Sequence, residues 1–150
     1  MWNEVITTEN ITNLINIYGG FHDSCIKEVN YISGAHVNDN LSMMPINDMR
    51  SVDIVFQRQY KNPMAIVMRF SGLKTLHLAP PNSNYTCEIF DAAMFIKENH
   101  IYWADSYDVT HENIETYNGT WICAEKLQWR VIDECIRADK IYQARFESIE

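Results

Sequence analysis

Hydrophobic and polar positions change period once in this chain, close to its N-terminus. Ile11, Leu14, Ile15 and Tyr18 recur at the three- and four-residue spacing of one helix face. Thr7-Thr8-Glu9-Asn10 places capping side chains before them, and Gly19-Gly20 places a stop after them. The pattern predicts one short amphipathic helix within residues 1–20. Beyond the glycines the period becomes two. Residues 25–32 read as a strand. In 51–60, Val52, Ile54 and Phe56 alternate with Asp53 and Gln57, and in 64–78 Met64, Ile66, Met68 and Phe70 alternate with Arg69 and Ser71. Gly72 marks a bulge or turn. Residues 87–97 and 100–107 read as a hairpin closed at Glu98-Asn99. Residues 121–131 form a further strand, with Trp121, Cys123, Leu127 and Trp129 on one face and Lys126, Gln128 and Arg130 on the other.

Between these segments lie polar connections at 33–50 and 108–119 and a turn cluster at Pro80-Pro81-Asn82-Ser83-Asn84. The expectation is a single α+β domain over 1–150. It has one antiparallel sheet of six to eight strands, curled or two-layered, and one N-terminal helix. Residues 1–20 are the helix region and 21–131 the β core. Residues 132–150 fit either a helix or an edge strand.

The chain has 150 residues and a net charge of −8. That balance disfavours nucleic acid, whose phosphates need Lys and Arg in place of their counterions, and anionic membrane surfaces. No apolar run approaches the roughly 18 residues of a membrane span. Residues 1–12 carry Glu4 and Glu9 and no basic residue, which is not a signal-peptide pattern. A cytoplasmic setting is expected. In it Cys25, Cys87, Cys123 and Cys135 stay reduced and mostly buried, and the sequons at Asn10, Asn40, Asn84 and Asn118 are unused.

The one crowding of reactive residue types is Phe21-His22-Asp23-Ser24-Cys25. In a strand, alternation would send His22 and Ser24 to one face and Asp23 and Cys25 to the other. A nucleophile needs a base in reach and an oxyanion site, and the spacing provides neither. His22 and Asp23 are therefore expected to serve the backbone at the helix-to-strand corner. No metal and no cofactor are expected. The histidines are scattered, and Asp105, Asp108, His111 and Glu112 lie in a polar connection without a second His or Cys at ligand spacing. Phosphate-loop and dinucleotide glycine motifs are absent, as is the hydrolase G-x-S-x-G.

Charge is distributed less ordinarily. Between Lys97 and Lys126 there is no Lys or Arg, but there are Glu98, Asp105, Asp108, Glu112, Glu115 and Glu125. Tyr102, Trp103, Tyr107, Tyr117 and Trp121 are interleaved with them. Aromatics anchor interfaces and carboxylates steer cationic partners. Trp103, Asp105, Tyr107, Asp108, Glu112 and Glu115 are accordingly the expected binding residues, and a basic protein is the expected partner.

Phe21-His22-Asp23-Ser24 after a short helix, Asp91-Ala92-Ala93, Ile101-Tyr102-Trp103 with Asp105, and Leu127-Gln128-Trp129-Arg130 together resemble small bacterial β-rich domains that open with an F-H-D signature. Some proteins of that look are immunity proteins of polymorphic toxin systems. The resemblance spans residues 21–130 and brings no catalytic residues. It implies a non-enzymatic cytoplasmic protein that neutralises a toxin. The alternative is a small enzyme or ligand-binding domain with a cleft near His22 and Asp23.

Overall fold

The computed structural model describes residues 1–133, Ala138 and Tyr142. Its elements are β1 (Asn3–Val5), α1 (Thr8–Ile17), β2 (Ser24–Ile32), β3 (His36–Val37), β4 (Met43–Met44), β5 (Ser51–Arg58), β6 (Ala65–His77), β7 (Ala93–Lys97), β8 (His100–Ala104) and β9 (Trp121–Val131). Seven strands form one antiparallel sheet in the order β2-β5-β6-β9-β8-β7, with β1 added to β9. β3 and β4 pair only with each other. The α+β class, the dominant antiparallel sheet and the N-terminal helix follow the periodicity. The C-terminal element expected in 132–150 lies outside the described residues, apart from four positions.

α1 starts where its cap predicts. The Thr7 hydroxyl accepts from the Asn10 N–H at 3.2 Å, and the Asn10 side-chain oxygen accepts from the Thr7 N–H at 3.0 Å. Its other end is closed by a side chain from β5: Arg58 Nη2 donates to the Ile17 carbonyl at 3.3 Å. The same guanidinium donates through Nε to Pro63 O at 2.8 Å and stacks 4.6 Å over the Tyr18 ring. Ile11, Leu14 and Tyr18 bury into the main core.

Phe21 is the hub of that core. Its ring meets Tyr18 at 5.1 Å, Phe56 at 5.0 Å and Trp103 at 5.7 Å, all edge-on. Left-handed backbone brings it there, with φ of +60° at Gly19, +67° at Gly20 and +64° at Phe21 itself. A non-glycine residue in this region is disfavoured by roughly 1–2 kcal/mol. Burial of a whole aromatic ring offsets that cost.

β9 is the spine of the sheet. One of its edges pairs with β6 from Trp121 to Val131. The other edge is shared end to end: β8 takes Trp121 to Ala124, and β1 takes Leu127 to Trp129. The sequence pattern did not anticipate β1. Between the two, Glu125 and Lys126 are both exposed, so the in-out alternation slips by one residue there. Gly72 lies opposite this slip, at φ +63°. The expected common face of Trp121, Cys123, Leu127 and Trp129 is thereby corrected. Leu127 and Trp129 join Ile122 and Ala124 in the main core, while Trp121 and Cys123 face a second cluster with Tyr102, Val109 and Ile114.

The two-residue hairpin at Glu98-Asn99 is present, with φ of +53° and +63°, as a tight turn matched to strand twist requires. Its strands are shorter than the pattern implied. β7 begins at Ala93 and β8 ends at Ala104. Upstream of β7, Ile89 makes an isolated bridge to Ser24.

Candidate functional site

The connection from β8 to β9 is built around Asp105. One carboxylate oxygen accepts the Tyr117 hydroxyl, and the other accepts the Thr120 N–H at 3.3 Å, so one side chain ties the two ends together. Asn113 organises the middle, accepting from Thr110 N–H at 2.8 Å and donating to Asp108 O at 3.1 Å. Val109 and Ile114 are buried beneath. Lys97 Nζ donates to His111 O at 2.8 Å, and the His111 ring packs 4.5 Å from Phe95. The loop is thus folded down over the outer face of β7, β8 and β9. Tyr107, Asp108, Glu112 and Glu115 are left exposed. The Glu112 carboxyl is held below its ordinary range, first by a hydrogen bond from the Thr110 side chain and then by its own backbone N–H.

The expected binding residues separate accordingly. Tyr107 is 67% exposed and rimmed in sequence by Asp108, whereas Trp103 is 0% exposed and packs on Phe21 and Phe56. Trp103 as a surface anchor is corrected: its position in β8 alternates inward. Tyr102 and Trp121 are likewise buried. Asp105 serves the loop rather than presenting a free carboxylate. Asp108, Glu112 and Glu115 keep the exposure expected of a charged rim.

At the F-H-D corner, His22 is half-exposed rather than buried. Its Nδ1 lies 2.5 Å from the Phe90 carbonyl, an acceptor only, so Nδ1 carries the hydrogen. Asp23 lies 3.4 Å from Nε2 and Asp91 3.9 Å from Nδ1. The Phe90 carbonyl, then Asp23, raise the His22 pKa above its ordinary value. A cavity of about 530 Å³ opens beside this corner, lined by Asp23, Cys25, Arg58, Cys87 and Glu88 but not by His22. Of the described thiols, Cys123 is buried, Cys25 half-buried and Cys87 exposed, less burial than expected; Cys135 lies outside the described residues. Among the described residues no group of three or more His, Cys, Asp or Glu side chains is placed to hold a metal ion. None of their helices is long and apolar enough to cross a membrane.

One surface feature escaped the sequence reading. Residues 33–50, expected as a polar connection, contain the β3–β4 ribbon, and every residue from 35 to 49 is exposed. Six of them are large and apolar: Val37, Leu41, Met43, Met44, Ile46 and Met49. The signal that could have found it is the clustering of these residues among turn formers, without either helical or strand periodicity.

Compared with protein-family models, with curated proteins and with solved structures, the chain gave no match.

Proposed function

We propose that this chain is a protein-binding domain for a basic partner, cytoplasmic and of the toxin-immunity kind, and that it uses the acidic loop between β8 and β9. One observation carries the reading. A loop tied down by hydrogen bonds from Asp105, Asn113 and Lys97 leaves Tyr107, Asp108, Glu112 and Glu115 exposed, with no Lys or Arg in sequence between Lys97 and Lys126. Preorganised display lowers the ordering cost of association. The clustered carboxylates accelerate encounter with a cation-rich surface. Catalysis at the His22 corner has weaker support, because Nδ1 is committed to the Phe90 carbonyl and the neighbouring cavity excludes the ring.

The test is association kinetics with the protein captured from the native host. Raising salt and introducing Asp108→Lys with Glu112→Lys should each slow association, with dissociation little changed. An on-rate indifferent to both would end this reading.

A further inference from the structure

No apolar residue of the 33–50 ribbon joins the buried clusters, yet hydrogen bonds hold its shape. Asn38 N–H donates to Ser42 O and Leu41 N–H to Asn38 O, each at 2.9 Å. The Asn40 side chain accepts from both the N–H and the hydroxyl of Ser42. At its base, Ser33 O accepts the N–H groups of Met49 and Arg50, each at 3.1 Å. Arg50 O accepts Leu73 N–H at 2.9 Å, and Arg50 Nη2 lies 3.8 Å from Glu125. Its apolar residues range from 36% exposed at Met49 to 84% at Leu41. Large apolar side chains gathered in the open on one ribbon mark an interaction site.

Pairing shows what would enclose it. Val37 stands opposite Met43 and His36 opposite Met44, so Val37 and Met43 share one face of the ribbon and Met44 lies on the other. A ribbon apolar on both faces fits a cleft better than a flat surface. Methionine adapts its shape to such a cleft. Within the ribbon Asp39 and Asp48 are exposed, and its one Lys or Arg, Arg50, lies beside Glu125. Two copies of a chain of charge −8 repel each other, whereas a basic partner is attracted. Glu125, which Arg50 approaches at the ribbon's base, follows Cys123 by two positions in β9, and Cys123 packs beneath the acidic loop with Val109 and Ile114.

We propose that the 33–50 ribbon is a preformed docking arm whose Val37, Leu41, Met43, Met44 and Ile46 enter an apolar cleft on the same basic partner. The inference rests on the acidic-loop reading, which would supply the steering while the arm supplies the anchor.

The probes are a short amphipathic Leu/Lys peptide and a Ser/Lys peptide of equal length and charge, titrated calorimetrically into the full chain. The arm predicts that the Leu/Lys peptide binds at least about tenfold tighter, equivalent to about 1.4 kcal/mol. Met43→Ser with Met44→Ser should abolish that preference without changing Ser/Lys binding. Val37→Ser with Leu41→Ser, an independent pair, should do the same. Thermal melts matching the parent would show that both variants are folded. Asp108→Lys with Glu112→Lys should weaken both peptides alike. If neither peptide binds the parent chain, the acidic-loop reading fails and the arm falls with it. If both bind equally, or the preference survives both serine pairs, the arm alone is wrong. A dimer in sedimentation velocity that the serine pairs dissolve would assign the ribbon to a second copy and overturn the proposal. Serine-sensitive binding to neutral phosphatidylcholine vesicles would assign it to lipid, with the same consequence.

Discussion

Asp53 and Arg69 face each other across β5 and β6 in a two-pronged ion pair. Nε reaches Oδ1 at 2.8 Å and Nη2 reaches Oδ2 at 2.9 Å, with both side chains buried. The Trp2 ring lies 4.5 Å over the guanidinium and shuts it from water. Two parallel bonds between planar groups fix the register of the two strands as well as stabilising them. Asp53→Ala leaves a buried cation uncompensated and should cost about 3–5 kcal/mol in chemical denaturation. Asp53→Leu combined with Arg69→Met should recover most of that loss. A single variant as stable as the parent would show that the pair is not structural.

Trp103 and Tyr107, four residues apart, should behave oppositely. Trp103→Ala empties the centre of the aromatic core and should cost about 3–5 kcal/mol. Tyr107→Ala should stay within about 0.5 kcal/mol of the parent, as surface changes do. If Tyr107 anchors the partner, its loss should raise the dissociation rate and cost about 2 kcal/mol of binding. Denaturation curves and binding kinetics on the same two proteins separate the roles.

Gly72→Ala tests the slip in β6 and β9. The position has φ +63°, and an added Cβ would collide with the Glu125 carboxylate. A loss of about 1–2 kcal/mol is expected from the backbone conformation. Gly72→Asn should lose less backbone energy, since Asn visits this region more readily. Equal stabilities for glycine and alanine would mean that the slip tolerates ordinary backbone.

His22 supplies a pH dependence. Its folded pKa is raised, by the Phe90 carbonyl first and Asp23 next. Its contribution is therefore complete below the ordinary value of about 6.5 and declines as pH rises through the higher folded value. Proton NMR should show a histidine resonance that titrates above its ordinary value and vanishes in His22→Gln. A His22 midpoint at or below the ordinary value would contradict the geometry.

Tyr18 gives the alkaline counterpart. Its hydroxyl donates to Met64 O at 3.0 Å in the core, and burial drives its pKa upward. Unfolding exposes a phenol that ionises near 10, so stability should fall as pH climbs beyond about 10. Tyr18→Phe should flatten that fall, read by melting temperature against pH.

The periodicity captured α1, β2, β5, β6 and β9 because each is decided locally, by alternating burial or by a cap. It missed β1, whose three residues become a strand only through β9, a partner more than a hundred positions away. It misread the faces of β9 because two successive residues, Glu125 and Lys126, are exposed opposite Gly72, a departure from alternation that the residues of β9 alone do not announce. The charged rim of Asp108, Glu112 and Glu115 was legible from composition. The inward turn of Trp103 was not, since an aromatic in a half-buried strand suits either face. In the F-H-D run the titratable pair is the conspicuous chemistry, but it is the Phe21 ring that organises the aromatic core.

The shared edge of β9 also sets an order of assembly. β6, β8 and β1 all pair with a strand that is made after them. During synthesis the first strand must wait, unpaired, until nearly the whole described chain has left the ribosome. Contacts this distant along the sequence form slowly. The nascent chain therefore carries exposed strand edges until β9 is made, a window in which chaperones have something to bind. Completion of β9 closes that window for all three strands together.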